Sequence, residues 1–226
     1  MAYDPLEQIP WDDDEIVVDN PEPRCPCLLL LDTSGSMEGE PIRQLNNGVA
    51  TLKRSLVADS LASKRVEVGI VTFGPPRLLL PFTTVDSFDV PTLKASGTTP
   101  LGGAIQMGLE AVRKRKDWYR QVGLNYFRPW VMLITDGAPD KEDNWREAAR
   151  LIREGEASKA FAFFAVGVDK AEMSVLKECS VRQPLKLREL KFEDLFQWLS
   201  SSLTTQVYSQ DGAEVRLKSP EGWAVI

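Results

Sequence analysis

A chain of 226 residues can bury one substantial α/β core. It has no histidine, which removes Ser-His-Asp and Cys-His nucleophile activation and any imidazole metal ligand, and its three cysteines (Cys25, Cys27, Cys179) offer neither a redox Cys-x-x-Cys nor a tetrahedral zinc set. The net charge of −6 belongs to the tail: residues 1–23 hold eight acidic and no basic residues, leaving 25 acidic against 27 basic over 24–226. That near-neutral body gives no reason to expect nucleic acid. No stretch approaches the ~18 uninterrupted apolar residues of a membrane span, and no charged-then-apolar leader opens the chain. A cytoplasmic protein with buried or strand-edge thiols is expected.

Residues 1–23, rich in Pro and Asp around Ile16-Val17-Val18, read as an acidic tail that can add an edge strand. Residues 27–31 are an apolar strand of the parallel-sheet kind. Pro41 then opens a helix at a favoured first-turn position, and Ile42, Leu45, Val49, Leu52 and Leu56 recur at helical spacing to about Asp59. Val66 to Phe73 is a strand, and after Gly74-Pro75-Pro76 the segment Leu78 to Phe82 can return antiparallel. Leu101 to Lys116 is helical, Val131 to Thr135 a strand, Glu142 to Gly155 a helix and Phe161 to Val168 a strand. Lys170 to Cys179 is a helix, Leu185 to Leu187 a short strand, and Phe192 to about Gln206 a final helix with Phe192, Leu195, Phe196, Leu199 and Leu203 on one face. Glu214-Val215-Arg216-Leu217 is a candidate terminal β segment. Strands alternating with helices predict an α/β fold with a mostly parallel sheet covered on both faces.

Three segments carry the chemistry. Asp32-Thr33-Ser34-Gly35-Ser36 follows the apolar run Leu28 to Leu31, so a strand end delivers a carboxylate and hydroxyls to one turn. Ser96-Gly97-Thr98-Thr99 precedes a helix, and Leu133-Ile134-Thr135-Asp136-Gly137 ends another apolar strand. Turn chemistry explains each segment singly, since Asp, Ser and Gly dominate turns. Jointly they place oxygen donors from three turns at one sheet edge, a hard donor set suited to Mg²⁺ or Mn²⁺.

Together these segments resemble the metal-ion-dependent adhesion site (MIDAS) of von Willebrand factor type A (vWA) domains. The resemblance implies a Rossmann-like, doubly wound fold with one antiparallel edge strand over about residues 24–206, between the tail and a 207–226 extension. It implies Ser34 and Ser36 as hydroxyl ligands, Asp32 as a direct or water-mediated carboxylate, Thr99 as the third hydroxyl and Asp136 as the carboxylate of the third loop. Thr98 competes with Thr99; the family pattern favours Thr99, six residues before the inward-facing Ile105. A hydroxyl-rich set leaves much of the ion's charge and a coordination position for a partner's carboxylate.

Leu30 to Met37 with Gly39-Glu40-Pro41-Ile42, Thr99 to Ile105, Arg128-Pro129-Trp130 and Gly222-Trp223 are closer to the TerY-like bacterial group associated with tellurite resistance. That likeness implies a cytoplasmic stress-response adaptor beside protein partners, including kinase- and phosphatase-like ones. Similarity to the adhesion branch of the superfamily suggests a final helix, Phe192 to about Gln206, that shifts when the metal changes ligands; a rigid helix completing the core is the preferred alternative in a bacterial-type chain. The rival function is a metal-dependent hydrolase or phosphoryl-transfer enzyme. Asp32 stands where haloacid-dehalogenase-like phosphatases carry their nucleophile, but Ser34 replaces their second acid, and no Walker loop is present. Arg113-Lys114-Arg115-Lys116 with Trp118, Tyr119, Arg120, Tyr126, Phe127, Arg128 and Trp130 reads as a basic, aromatic loop at the end of the Leu101–Lys116 helix, suited to a protein contact rather than nucleic acid.

Overall fold

The computed structural model describes residues 20–209, 219–220 and 222–225. The first strand, β1 (Cys25–Asp32), is buried along its whole length, as a near-continuous apolar run requires. A 3₁₀ turn (Gly35–Met37) leads into α1 (Glu40–Val57), with its proline in the first turn, and the short α2 (Ala62–Arg65). Then come β2 (Val66–Phe73), β3 (Arg77–Thr84), α3 (Leu101–Gln121), β4 (Trp130–Thr135), α4 (Trp145–Ala157) and β5 (Ala162–Gly167). The chain closes with α5 (Met173–Cys179), β6 (Leu185–Leu187), α6 (Phe192–Val207) and β7 (Ala224–Val225). Among the described residues no helix is long and apolar enough to cross a membrane.

The seven strands form one sheet in the order β3-β2-β1-β4-β5-β6-β7. The five central strands run parallel, and both edges are antiparallel. One antiparallel edge was expected at β3; the second, β7, pairs Ala224 with Leu187. A two-residue strand is too short to leave a period in the sequence. The strands anticipated around Ile16-Val17-Val18 and at Glu214 to Leu217 lie outside the described residues.

Alternation along β1 builds two cores. Leu29 and Leu31 face α1 and α6 on one side, whereas Leu28 and Leu30 face α3 and α4 on the other. Helices on both faces of a mostly parallel sheet make the fold doubly wound. Order reverses between β1 and β4, because the chain builds outward from β1 to β2 and β3, then returns to β4 on its other side. Ligands of such sheets bind at the carboxyl ends of the strands flanking that reversal.

Helices α1 and α6 approach closely at Gly48, where an added Cβ would lie 2.3 Å from the Phe196 ring. Alanine in a helix interior normally gains up to ~1 kcal/mol over glycine. Here the ring cannot retreat without disturbing a fully buried layer, so overpacking dominates. Gly48→Ala is expected to destabilise by about 1–3 kcal/mol in denaturant titrations. A gain in stability would mean that the two helices are loosely packed.

At the opposite end of the sheet from the metal-type motifs lies a buried ionic cluster. Arg115 donates twice to Glu67, Nε to Oε2 at 2.9 Å and Nη2 to Oε1 at 2.7 Å, and Tyr119 donates its hydroxyl to Glu67 Oε2. Arg24 places Nε 3.2 Å from Glu67 Oε1 and donates Nη2 to the Asn20 carbonyl at 2.7 Å. Arg24, Glu67 and Arg115 are all essentially excluded from solvent.

This cluster revises the reading of the basic, aromatic stretch. Helix α3 runs on to Gln121, so Trp118, Tyr119 and Arg120 are helical rather than in a loop. Trp118, Tyr119, Phe127 and Trp130 are buried. Arg115 stacks 4.1 Å over Trp118 while pairing with Glu67; Arg113 pairs with Glu110 and Asp117, and Arg120 with Asp117. The run is therefore spread around a helix and internally neutralised, instead of forming one basic patch. The described end of the acidic tail is also tied down: Glu22 accepts from Arg65 at 2.8 Å, and Asn20 donates to the Lys64 carbonyl at 2.8 Å. All three cysteines are free and buried, and burial pushes the Cys27 thiol up to about 12.

Candidate metal centre

Asp32 closes β1 and Asp136 follows β4, so the two carboxylates face one another across the reversal of strand order. The turn after Asp32 is held by its own side chain, since the Ser34 N–H donates to Asp32 Oδ1 at 2.8 Å. That bond points the Ser34 and Ser36 hydroxyls into the crevice. Their oxygens lie 2.9 Å apart, and Ser36 Oγ donates to Asp136 Oδ1 at 2.7 Å. One continuous chain of hydrogen bonds thus joins Asp32, Ser34, Ser36 and Asp136.

The middle segment is locked to the first through backbone. Gly35 N donates to Gly97 O at 3.0 Å, and Ser96 N to Thr33 O at 2.7 Å. A Cβ on Gly74, at φ +127°, would meet Ser96 O at 2.4 Å and Thr33 O at 3.1 Å, so only glycine lets the first two segments close against the β2–β3 turn. The two threonines then separate in role. Thr98 is exposed and donates its hydroxyl to Asp140 Oδ2 at 2.7 Å. Thr99 is buried, and its Oγ1 sits 3.1 Å from the position a Cβ would take on Gly137, immediately after Asp136. The arrangement brings Thr99, rather than Thr98, to the third loop.

Sequence reasoning missed the supports of this site. Thr135 Oγ1 donates to Asp32 Oδ2 at 2.5 Å, orienting the carboxylate from the neighbouring strand. Asp140 accepts from the Thr99 N–H at 3.1 Å, and Asp143 from Gly102 N at 2.6 Å, fixing the entry to α3. The signal was available in part: Thr135 stands beside Asp136, and a β-strand residue next to a ligand belongs to the same edge. Asp140 and Asp143 gave none, because their partners lie about forty residues earlier in the chain, 41 positions in each case.

Electrostatics make the crevice costly without a cation. Asp32 is fully buried and Asp136 nearly so. Burial raises the pKa of Asp32, opposed by hydrogen bonds from Ser34 and Thr135, and the Asp136 charge raises it further. Burial likewise raises Asp136, against a hydrogen bond from Ser36, and Asp169 adds repulsion. Among the described residues neither Asp32 nor Asp136 has an Arg or Lys ion-pair partner, unlike Glu67 or Glu156. Among the described residues, too, no three Asp, Glu or Cys side chains converge as an acidic cage. Two carboxylates and three hydroxyls fit a hard divalent ion that retains waters, as Mg²⁺ does, better than a multi-carboxylate Ca²⁺ cage.

Comparison with known proteins agrees with this architecture. Residues 28–188 match the family model of the von Willebrand factor type A domain, and the chain belongs to that family. The match ends before α6 and β7, which the fold nevertheless packs against the sheet. Among solved structures, the vWF domain of the type V pili tip protein Mfa5 from Porphyromonas gingivalis superposes with TM-score 0.59 at 10% identity, covering 85% of this chain and 99% of that one. The pilus adhesin SpaC from Lactobacillus rhamnosus GG gives 0.61 at 12% identity, covering 83% of this chain and 32% of the adhesin. Proximal thread matrix protein 1 from the mussel byssus gives 0.56 at 13%, covering 82% and 49%. The chain thus spans about half of the byssus protein and a third of the adhesin. At these identities the likeness establishes the fold. No relative matches the chain among curated proteins.

Proposed function

We propose that this vWA domain is a non-enzymatic, metal-dependent protein-binding module. Ser34, Ser36, Thr99, Asp32 and Asp136 would hold Mg²⁺ or Mn²⁺, whose residual charge would attract a carboxylate of a partner protein. The observation that carries this reading is the pair of buried carboxylates at the strand-order reversal, linked by serine hydroxyls and lacking a basic partner among the described residues. Membership of the vWA family supports a binding role. The motif likeness to the TerY-like group extends the proposal to a cytoplasmic adaptor in a tellurite-resistance, stress or kinase–phosphatase system.

A short peptide carrying one glutamate tests the chemistry without knowledge of the partner. Its resonances should shift on adding the protein in Mg²⁺, return to their free positions in EDTA, and stay unmoved with Asp32→Asn. Equal binding in EDTA would refute metal dependence. A pull-down from the source cells, with and without chelator, would then identify the natural partner.

A further inference from the structure

Beside the metal loop lies a second cavity, of about 310 Å³, lined by Thr33, Thr72, Arg77, Thr92, Lys94 and Ser96. It belongs to the same construction as the crevice, because Thr33 lies between the candidate ligands Asp32 and Ser34, and Ser96 N donates to the Thr33 carbonyl. The floor is rigid: Thr33 Oγ1 donates to Phe73 O at 3.2 Å, and Ser96 Oγ to Gly74 O at 3.2 Å. Its rim is cationic. The side chains of Arg77, at the start of β3, and Lys94, in the following loop, are exposed and make no hydrogen bond or ion pair among the described residues.

Most arginines among the described residues pair with carboxylates, among them Arg24, Arg65, Arg113, Arg115, Arg120, Arg128 and Arg150, which sets Arg77 apart. Two uncommitted cations with hydroxyls between them form a recognition surface for an anion, the arginine offering a planar fork to a carboxylate. Among the described residues no acidic side chain lines this cavity: Glu38 and Glu40 belong to the α1 entry, Asp140 to the third loop, where Thr98 and the Thr99 N–H engage it, and Asp169 to the β5 end.

We propose that this cavity is a second carboxylate subsite, and that the partner presents an acidic segment with two carboxylates: one for the metal, the other for Arg77 and Lys94. The inference rests on the metal-dependent reading above. Joining two weak contacts in one chain converts the second into an intramolecular event, so specificity for spaced acids follows without a deep pocket. Spacing is set by an extended peptide's reach of ~3.3–3.6 Å per residue.

The test uses the full chain in Mg²⁺ and peptides with a single glutamate, or with two glutamates separated by one, two or three glycines. At least one two-glutamate peptide should bind roughly tenfold more tightly than the single one, and Arg77→Ala with Lys94→Ala should erase that advantage while leaving single-glutamate binding intact. If the single peptide binds in a Mg²⁺-dependent way but no spacing improves it, or the advantage survives the double substitution, the subsite is overturned and the metal reading stands. Tight two-glutamate binding that ignores EDTA but needs Arg77 and Lys94 would support the cavity and overturn the metal reading. No binding by any peptide would overturn both.

Discussion

Glu67→Ala is expected to be the most destabilising single substitution among the polar positions of this domain, at about 3–5 kcal/mol. The carboxylate is the shared ion-pair partner of two guanidiniums, Arg24 and Arg115, that are buried with it, and it accepts from the Tyr119 hydroxyl. Removing it leaves two buried cations and a phenol without their partner. Coulomb attraction inside the pair is large, but so is the desolvation cost it offsets. For that reason breaking the cluster differs from replacing it. A triple exchange of Arg24, Glu67 and Arg115 for apolar residues of similar volume should fall within ~1–2 kcal/mol of the wild type. Chemical denaturation of both variants decides the matter. A Glu67→Ala cost below ~1 kcal/mol would mean that water reaches the cluster and shares the charge.

That cluster also marks a limit of what one sequence discloses. The strand β1 was legible because Leu28 to Leu31 are apolar without interruption, and the end of that run located Asp32. Amphipathic spacing located α1 and α6 to within about two residues, since one buried stripe determines each. By contrast, Glu67 and Arg115 are 48 positions apart, and nothing in either neighbourhood announces the other. Their pairing changed the meaning of Arg113 to Lys116, from a basic surface to a helix with one buried cation and several locally paired ones. The extension of α3 to Gln121 has the same origin: Trp118 and Tyr119 continue its buried face, but beside four consecutive basic residues they resembled a loop. The candidate site was legible in its donors and opaque in its supports. Asp32, Ser34, Ser36 and Asp136 converge as their motifs imply, whereas Thr135, Asp140 and Asp143 act through contacts that only the fold creates.

Calorimetric titration with Mn²⁺ tests the central claim most directly. The wild-type chain should bind the ion at one site, and Asp136→Ala should weaken binding by at least about a hundredfold, because it removes one of only two carboxylates from a set otherwise made of neutral hydroxyls. Asp32→Asn should act as strongly while its amide oxygen still accepts from the Ser34 N–H; the amide NH2 then faces the Thr135 hydroxyl, which can turn to accept from it. Thr99→Ala should lose roughly tenfold, and Thr98→Ala, whose hydroxyl is committed to Asp140, almost nothing. Far-UV circular dichroism of each variant should remain native, separating a lost ligand from a lost fold. Mn²⁺ affinity reduced in the Asp32, Asp136 and Thr99 variants alone is the result this account predicts. Affinity unchanged in both aspartate variants would contradict it.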